Sequence, residues 1–306
     1  MEIKTIVTIL FLSMLGLSLG ANPSTISSDE PWVDATEGIT GGSTAITWFP
    51  ANQNSSSSST LDHAQTIIEV YTATWCETCI PAEEALNASI TDHAVKVVKY
   101  HRHLFETEDP FGNNNTEGRW LSRYGPSAVQ ADFNARTPPT VIFGGERMHI
   151  GSHPTAGVSL EEEYSISLNS IMRPPISNSS EFTFTWEDGT FEWSWNWEED
   201  ITACRSNCDT VSTELYMMIV EDTAFFPEGS NGEEYYHRIL RDVIPLGNNS
   251  IEYILPQAWD DDDVSILIVL DWQESQSEET FLEVIPSLAV ELVIIGLVFT
   301  AFITPT

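Results

Sequence analysis

Trp75-Cys76-Glu77-Thr78-Cys79 is the stretch of this chain whose residue types and spacing suit covalent redox chemistry. Two intervening residues bring the sulfurs within disulfide reach, so one thiol can attack and the other can resolve a mixed disulfide. At the start of a helix, unpaired N–H groups and the positive helix end favour the first thiolate. This order predicts Cys76 as an exposed nucleophile and Cys79 as the inward-facing resolving thiol. Glu77 and Thr78 are the tuning dipeptide. A carboxylate beside Cys76 opposes its ionisation, which predicts a weakly oxidising or reducing couple.

His101 and His103 end the next strand-like run and admit three roles. An imidazolium there lowers the Cys76 pKa, a neutral pair joins Cys76 and Cys79 around copper or zinc, and strand-end histidines simply satisfy hydrogen bonds. The second pair, Cys204 and Cys208, reads as a structural disulfide closing a tight loop. No metal or cofactor is expected, since thiol–disulfide exchange needs none. Asp260 to Asp263 lack the spaced ligands and turn glycine of a calcium loop and read as solvated.

Positioning elements follow from the patterning. Ile67 to Tyr71 is a β-branched run fit for a buried strand, Pro81 to Ser89 has helical composition, and Val95 to His101 is strand-like again. Thr116 to Asn134 reads as helix with a break near Gly125-Pro126. Val141 to Phe143 and Arg147 to Ile150 read as strands around Gly144-Gly145, and Leu160 to Met172 as an amphipathic helix. From about 181 to 272 the period changes to two, as in Phe182, Phe184 and Trp186 and again in Phe191, Trp193, Trp195 and Trp197. Strands with that alternation point to an antiparallel sandwich.

Strand, Trp-Cys-x-x-Cys, helix, strand and then Thr137-Pro138-Pro139-Thr140 before another strand resembles the thioredoxin superfamily. The resemblance implies that Pro139 is the cis-proline facing the dithiol, that Trp75 packs beside the pair, and that Glu69 is the nearest counterpart of the buried proton-moving acid. Glu69 holds that role only if the loop Thr72-Ala73-Thr74 is one residue longer; otherwise Val70 takes its place. Glu221-Asp222 and Tyr236 through Arg241 resemble the second domain of bacterial outer-membrane surface proteins that join a thioredoxin-like unit to an immunoglobulin-like one. The expected fold class is therefore an α/β thioredoxin-like domain followed by an all-β immunoglobulin-like sandwich. The expected divisions are a signal peptide over 1–21, a Ser/Asn/Gly-rich linker over 22–62, the thioredoxin-like domain over 63–173, an acidic sandwich over 180–275 and a C-terminal apolar segment over 285–304.

Composition narrows the partners. The 306 residues carry 46 acidic and 12 basic side chains, a net charge of −34. Such a surface excludes a nucleic-acid binder, which needs a basic face for phosphates. Lys4 followed by the apolar run Ile6 to Leu19 predicts export, and an even cysteine count suits an oxidising compartment. Pro286 to Ile303 is apolar enough to suggest a membrane anchor, although Glu291 interrupts it. The function expected from these features is extracytoplasmic thiol–disulfide exchange on protein thiols or disulfides. The alternatives are a non-catalytic surface protein stapled by the Cys76–Cys79 bond and a metal carrier.

Overall fold

β-Branched and aromatic residues that alternate or run unbroken form the strands of a computed structural model, which describes residues 30–205 and 208–275. The expected signal peptide and the C-terminal apolar segment lie outside the described residues. In chain order the elements are β1 (Val33–Asp34), β2 (Gly41–Pro50), β3 (Ser55–Thr60), β4 (Gln65–Thr72), α1 (Cys79–Ser89), β5 (Val95–His101), α2 (Asn114–Arg123), α3 (Gly125–Gln130), β6 (Thr140–Phe143), β7 (Arg147–Ile150) and α4 (Leu160–Asn169). The all-β remainder holds β8 (Glu181–Glu187), β9 (Thr190–Asn196), β10 (Thr210–Phe225), β11 (Tyr235–Pro245), β12 (Ser250–Glu252) and β13 (Val264–Ser275). Four α-helices are present among the described residues.

The strands do not divide into the two expected domains. One nine-stranded sheet runs β1-β7-β6-β4-β2-β13-β10-β11-β5, and β5 pairs back onto β4. Strands β4, β2, β13, β10, β11 and β5 thereby close a six-stranded barrel. A separate antiparallel sheet runs β12-β9-β8-β3. The thioredoxin-like domain followed by an immunoglobulin-like sandwich is therefore replaced by a mixed α/β fold built on a closed barrel. Two pairings overturn the expectation: β2 lies between β4 and β13, and Ile239 of β11 pairs in parallel with Lys99 of β5. The Gly- and Ser-rich stretch expected as a linker supplies β2 and β3.

Barrel closure explains the unbroken apolar runs of β10 and β13. Met218, Val220, Leu267 and Val269 point inward with Ile67, Tyr71, Val98 and Tyr100. Met217, Ile219, Ile266, Ile268 and Leu270 point outward onto Phe182, Phe184, Phe191 and Trp193 of the second sheet. A strand buried on both faces has no polar side to alternate with. Ser55 to Ser59 pair with β8 through the backbone, opposite Trp186 to Phe182. Outside β4 and β6, Ile68, Val70, Val141 and Phe143 pack under Ala82 and Leu86 of α1 and Tyr164 and Leu168 of α4. Strands β4 and β5 run parallel, so α1 crosses between them and begins at their C-terminal end.

Candidate functional site

Cys76 and Cys79 are joined by a disulfide with Cα atoms 5.3 Å apart. Cys79 opens α1, and the turn before it is held by Cys76 N–H on the Ala73 carbonyl at 3.0 Å and Cys79 N–H on the Cys76 carbonyl at 3.1 Å. Cys79 is buried as expected, but Cys76 is only 3% exposed, which corrects its expected exposure. With Ala73 and the half-buried Trp75 they form a small apolar cluster of their own. Glu77 and Thr78 are exposed, and the Thr78 hydroxyl lies 3.5 Å from the Cys76 sulfur.

Two loops clasp this turn from the barrel side. The loop between β5 and α2 sends Glu106 to the Trp75 indole N–H at 2.9 Å, and its Glu108 carbonyl accepts from the Thr74 hydroxyl at 3.1 Å. Burial pushes the Glu106 carboxyl up, but backbone N–H groups and the indole donate to it and hold it below its ordinary value. Asn231 N–H of the β10–β11 loop and the Tyr236 hydroxyl of β11 donate to the Thr74 carbonyl, at 3.1 and 3.2 Å. Burial and the nearby carboxylates of Asp109, Glu233 and Glu83 push the Tyr236 phenol up to about 12.

Asp109 links the dithiol turn to His101. Its Oδ2 accepts from Thr74 N–H at 2.9 Å and lies 2.7 Å from His101 Nδ1, while Oδ1 accepts from Phe111 N–H at 3.0 Å. His101 is fully buried at the end of β5, edge-on to Phe111 and Tyr236, and its Nε2 has no partner among the described residues. Gly112 lies against the His101 carbonyl, where a Cβ would collide with the oxygen, so the loop can close on β5 only with glycine there. His103 is turned to another task, its backbone N–H donating to Glu117 Oε2 at 2.6 Å. Cys76, Cys79, His101 and His103 do not assemble as a set of metal donors among the described residues. The set that does is Cys204, Cys208 and Glu274, and its two sulfurs are bonded to each other as the expected disulfide.

Glu69 sits elsewhere. On β4 it shares the inward face of Ile67 and Tyr71, whereas α1 covers the outward face of Ile68 and Val70. Its carboxylate accepts from the Tyr100 and Tyr124 hydroxyls, the latter at 2.5 Å, and faces Arg119 at 3.6 Å. Arg119 also binds Asp271 at 2.7 Å, which Arg123 approaches at 3.0 Å and the Ser43 hydroxyl at 2.6 Å. Burial works against the Asp271 charge, but the two arginines outweigh it and hold the carboxyl below its ordinary value. The acid expected to move protons for Cys79 is thus a member of a buried ion cluster inside the barrel.

Pro139 precedes β6, whose Thr140 pairs with Tyr71, so it lies at the same end of the sheet as the dithiol turn. It is buried, its bond to Pro138 is cis, and its carbonyl accepts from Gly151 N–H at 2.8 Å. Asp109 and Glu83, which build the surroundings of the site, carry no signal in the sequence, and Tyr236 enters its reading only within the stretch through Arg241, with no role at the dithiol. Asp109 stands in an ordinary acidic loop, and nothing in its neighbours distinguishes a buried aspartate from a solvated one.

The chain is structurally similar, at a distance, to proteins of known structure. An Agrobacterium tumefaciens protein, AGR_C_4864, superposes with a TM-score of 0.38 at 14% identity over 66% of this chain and 77% of that one. HBP35 of Porphyromonas gingivalis superposes with a TM-score of 0.32 at 14% identity over 68% of this chain and 63% of its own. No family model and no curated protein matches the sequence. The two disulfides suit an oxidising, extracytoplasmic setting. No described helix is long and apolar enough to cross a membrane.

Proposed function

We propose that this protein is an exported thiol–disulfide exchange protein acting on cysteines of other polypeptides. The observation that carries the proposal is the position of the Cys76–Cys79 bond, at the start of α1 and the C-terminal end of the parallel β4/β5 pair. That end of a parallel sheet is where α/β folds present chemistry, because loops and a helix N-terminus converge there. In the reduced protein the Cys76 thiolate attacks a substrate disulfide and forms a mixed disulfide. Cys79 then attacks the Cys76 sulfur, which releases the substrate as a dithiol and leaves Cys76–Cys79 oxidised. The local resemblance to thioredoxin-superfamily sites implies that Trp75, which packs beside the pair, and Pro139 border the approach. Exchange at a sulfur this buried requires the neighbouring loops to open. The C-terminal apolar segment suits a protein held at an extracytoplasmic membrane face.

The burial of Cys76 favours a second reading, in which the bond is a permanent staple of a surface protein. The reduction potential separates the two. Equilibration in graded thiol buffers is expected to give a value above about −300 mV, with Cys76→Ser abolishing exchange with a peptide disulfide. A lower potential would establish the staple, and exchange that survives the substitution would overturn Cys76 as the attacking thiol.

A further inference from the structure

Thr74, two residues before Cys76, has its N–H, its hydroxyl and its carbonyl all held by one of two loops. The β5–α2 loop takes the N–H and the hydroxyl, through Asp109 Oδ2 at 2.9 Å and the Glu108 carbonyl at 3.1 Å. The carbonyl is held from the β10–β11 side, by Asn231 N–H at 3.1 Å and the Tyr236 hydroxyl at 3.2 Å. The Cys76 N–H is bound within the same turn, to Ala73, so what fixes Thr74 also fixes Cys76.

The two loops are fastened differently. Buried charge anchors the β5–α2 loop: Asp109 lies 2.7 Å from His101, and Glu117 of α2 accepts from the backbone N–H groups of His103 and Leu104. Arg136 pairs with Glu117 and also donates to the Leu104 carbonyl. In the β10–β11 loop, only Gly229 and Asn231 of residues 227–234 are partly covered, and the rest are exposed. Both lie against Thr74, Gly229 so closely that a Cβ there would come within 3.1 Å of the Thr74 carbonyl oxygen. Between this loop and α1 is a cavity of about 140 Å³, with Asn231 and Glu233 on one wall and Ile80 and Glu84 on the other. Packing therefore does not press the loop onto α1, and the exposed carboxylates of Glu233 and Glu84 repel each other across the gap. A segment with so few buried contacts opens at low cost. The Tyr236 hydroxyl has one proton for three acceptors: Asn231 Oδ1 at 2.8 Å, the Thr74 carbonyl at 3.2 Å and the Glu233 carbonyl at 3.3 Å. That proton can pass from Thr74 to Asn231 without movement of the ring.

We infer that the β10–β11 loop is a strap that gates the dithiol, with the Tyr236 hydroxyl as its latch on the Thr74 carbonyl. Opening of the strap frees the turn from Ala73 to Cys76 on its weakly held side, while the β5–α2 loop keeps its place. Cys76, only 3% exposed in the closed arrangement, then becomes reachable. The inference rests on the exchange function proposed above and adds its regulation: the rate of attack at Cys76 scales with the fraction of molecules whose strap is open.

The test follows reduction of the Cys76–Cys79 bond in the full chain by dithiothreitol, which closes to its cyclic disulfide as the bond is reduced. Alkylation and peptide mapping separate this bond from Cys204–Cys208. Tyr236→Phe removes the latch and should speed reduction about fivefold. Gly229→Ala sets a methyl group against the Tyr236 hydroxyl and should lift the strap, for a gain of about tenfold. Both changes release the same latch, so the double variant should react at most about twice as fast as Gly229→Ala alone. Hydrogen exchange should quicken over residues 228–234 and match the parent over residues 264–272 of β13. Unchanged reduction in both single variants would overturn the gate while leaving the exchange function standing. Gains accompanied by equally faster hydrogen exchange throughout β13 would mean global unfolding and would also overturn the gate. Faster reduction in the variants, with no exchange between the reduced protein and a peptide disulfide in parent or variants, would support the gate and overturn the exchange function.

Discussion

The barrel interior and the dithiol edge both bury carboxylates and cations, yet they complete them differently. Inside the barrel, Glu69 and Asp271 face Arg119 and Arg123, and Tyr100, Tyr124 and Ser43 donate to the carboxylates. Charges balance two against two, and strands β2, β4, β5 and β13 are tied to α2. At the dithiol edge Asp109 is likewise satisfied, but Nε2 of the buried His101 that it holds has no partner among the described residues. A closed cluster contributes to one folded arrangement, whereas an open one leaves an interaction for another molecule.

The largest effect should come from breaking the closed cluster. Asp271→Asn leaves Arg119 and Arg123 buried around a neutral amide, and denaturant unfolding at pH 7 is expected to show a loss of about 3–5 kcal/mol. The same carboxyl has a folded pKa below its unfolded value. Its contribution is therefore present above the unfolded value and lost as pH falls through the folded one. A loss under about 1 kcal/mol in the variant would mean that the arginines find other partners and that the cluster is not closed.

Glu146 lies between the two extremes. Its Oε1 accepts from Met172 N–H at 3.0 Å, while Oε2 lies 3.8 Å from the Arg147 guanidinium. Burial outweighs that arginine and raises its pKa from 4.5 to about 7. A carboxyl with a raised folded pKa destabilises the fold as pH rises from the unfolded value through the folded one. Glu146→Gln should therefore be more stable than the parent by up to about 3 kcal/mol at pH 8, with no gain at pH 4. Parallel thermal melts across that range check it, and a pH-independent difference would contradict it.

Much of the dithiol edge was legible in the sequence, because its signals are local. The apolar runs 67–71 and 95–101 fall within β4 and β5, and the helical stretch 81–89 lies within α1. The barrel was not legible, because its closing strand hides in Gly41 to Pro50, where small and polar residues read as a linker. That composition serves packing: a Cβ at Gly41 would come within 2.5 Å of the Trp272 carbonyl across the β2–β13 pairing. Arg119 and Asp271 stand 152 positions apart, and no spacing rule joins them. The unbroken runs of β10 and β13 carried a clue, since strands of a one-sided sandwich sheet should alternate.

Smaller effects sharpen the open side of the comparison. Asp109→Asn removes the charge that His101 and the Thr74 N–H share. It should cost about 1–2 kcal/mol of stability while slowing peptide exchange about tenfold. A rate loss no greater than the unfolded fraction explains would assign Asp109 to the fold alone. Smallest of all, Glu77→Gln takes an exposed charge from beside Cys76. Screening limits its influence, so alkylation of the reduced protein at pH 7 should quicken by less than about threefold.

The pairing of β2 with β13 also bears on how the chain matures. Ser43 meets Asp271 across 228 positions, so the barrel cannot close until almost all of the described chain has emerged from synthesis or export. Contacts of that separation form late and slowly, because a long loop must be closed before they contribute. The β4–α1–β5 unit needs only neighbouring residues and can assemble first, before the β10–β11 loop that holds Thr74 has been made. During that interval Cys76 and Cys79 meet the oxidants of the compartment without their cover.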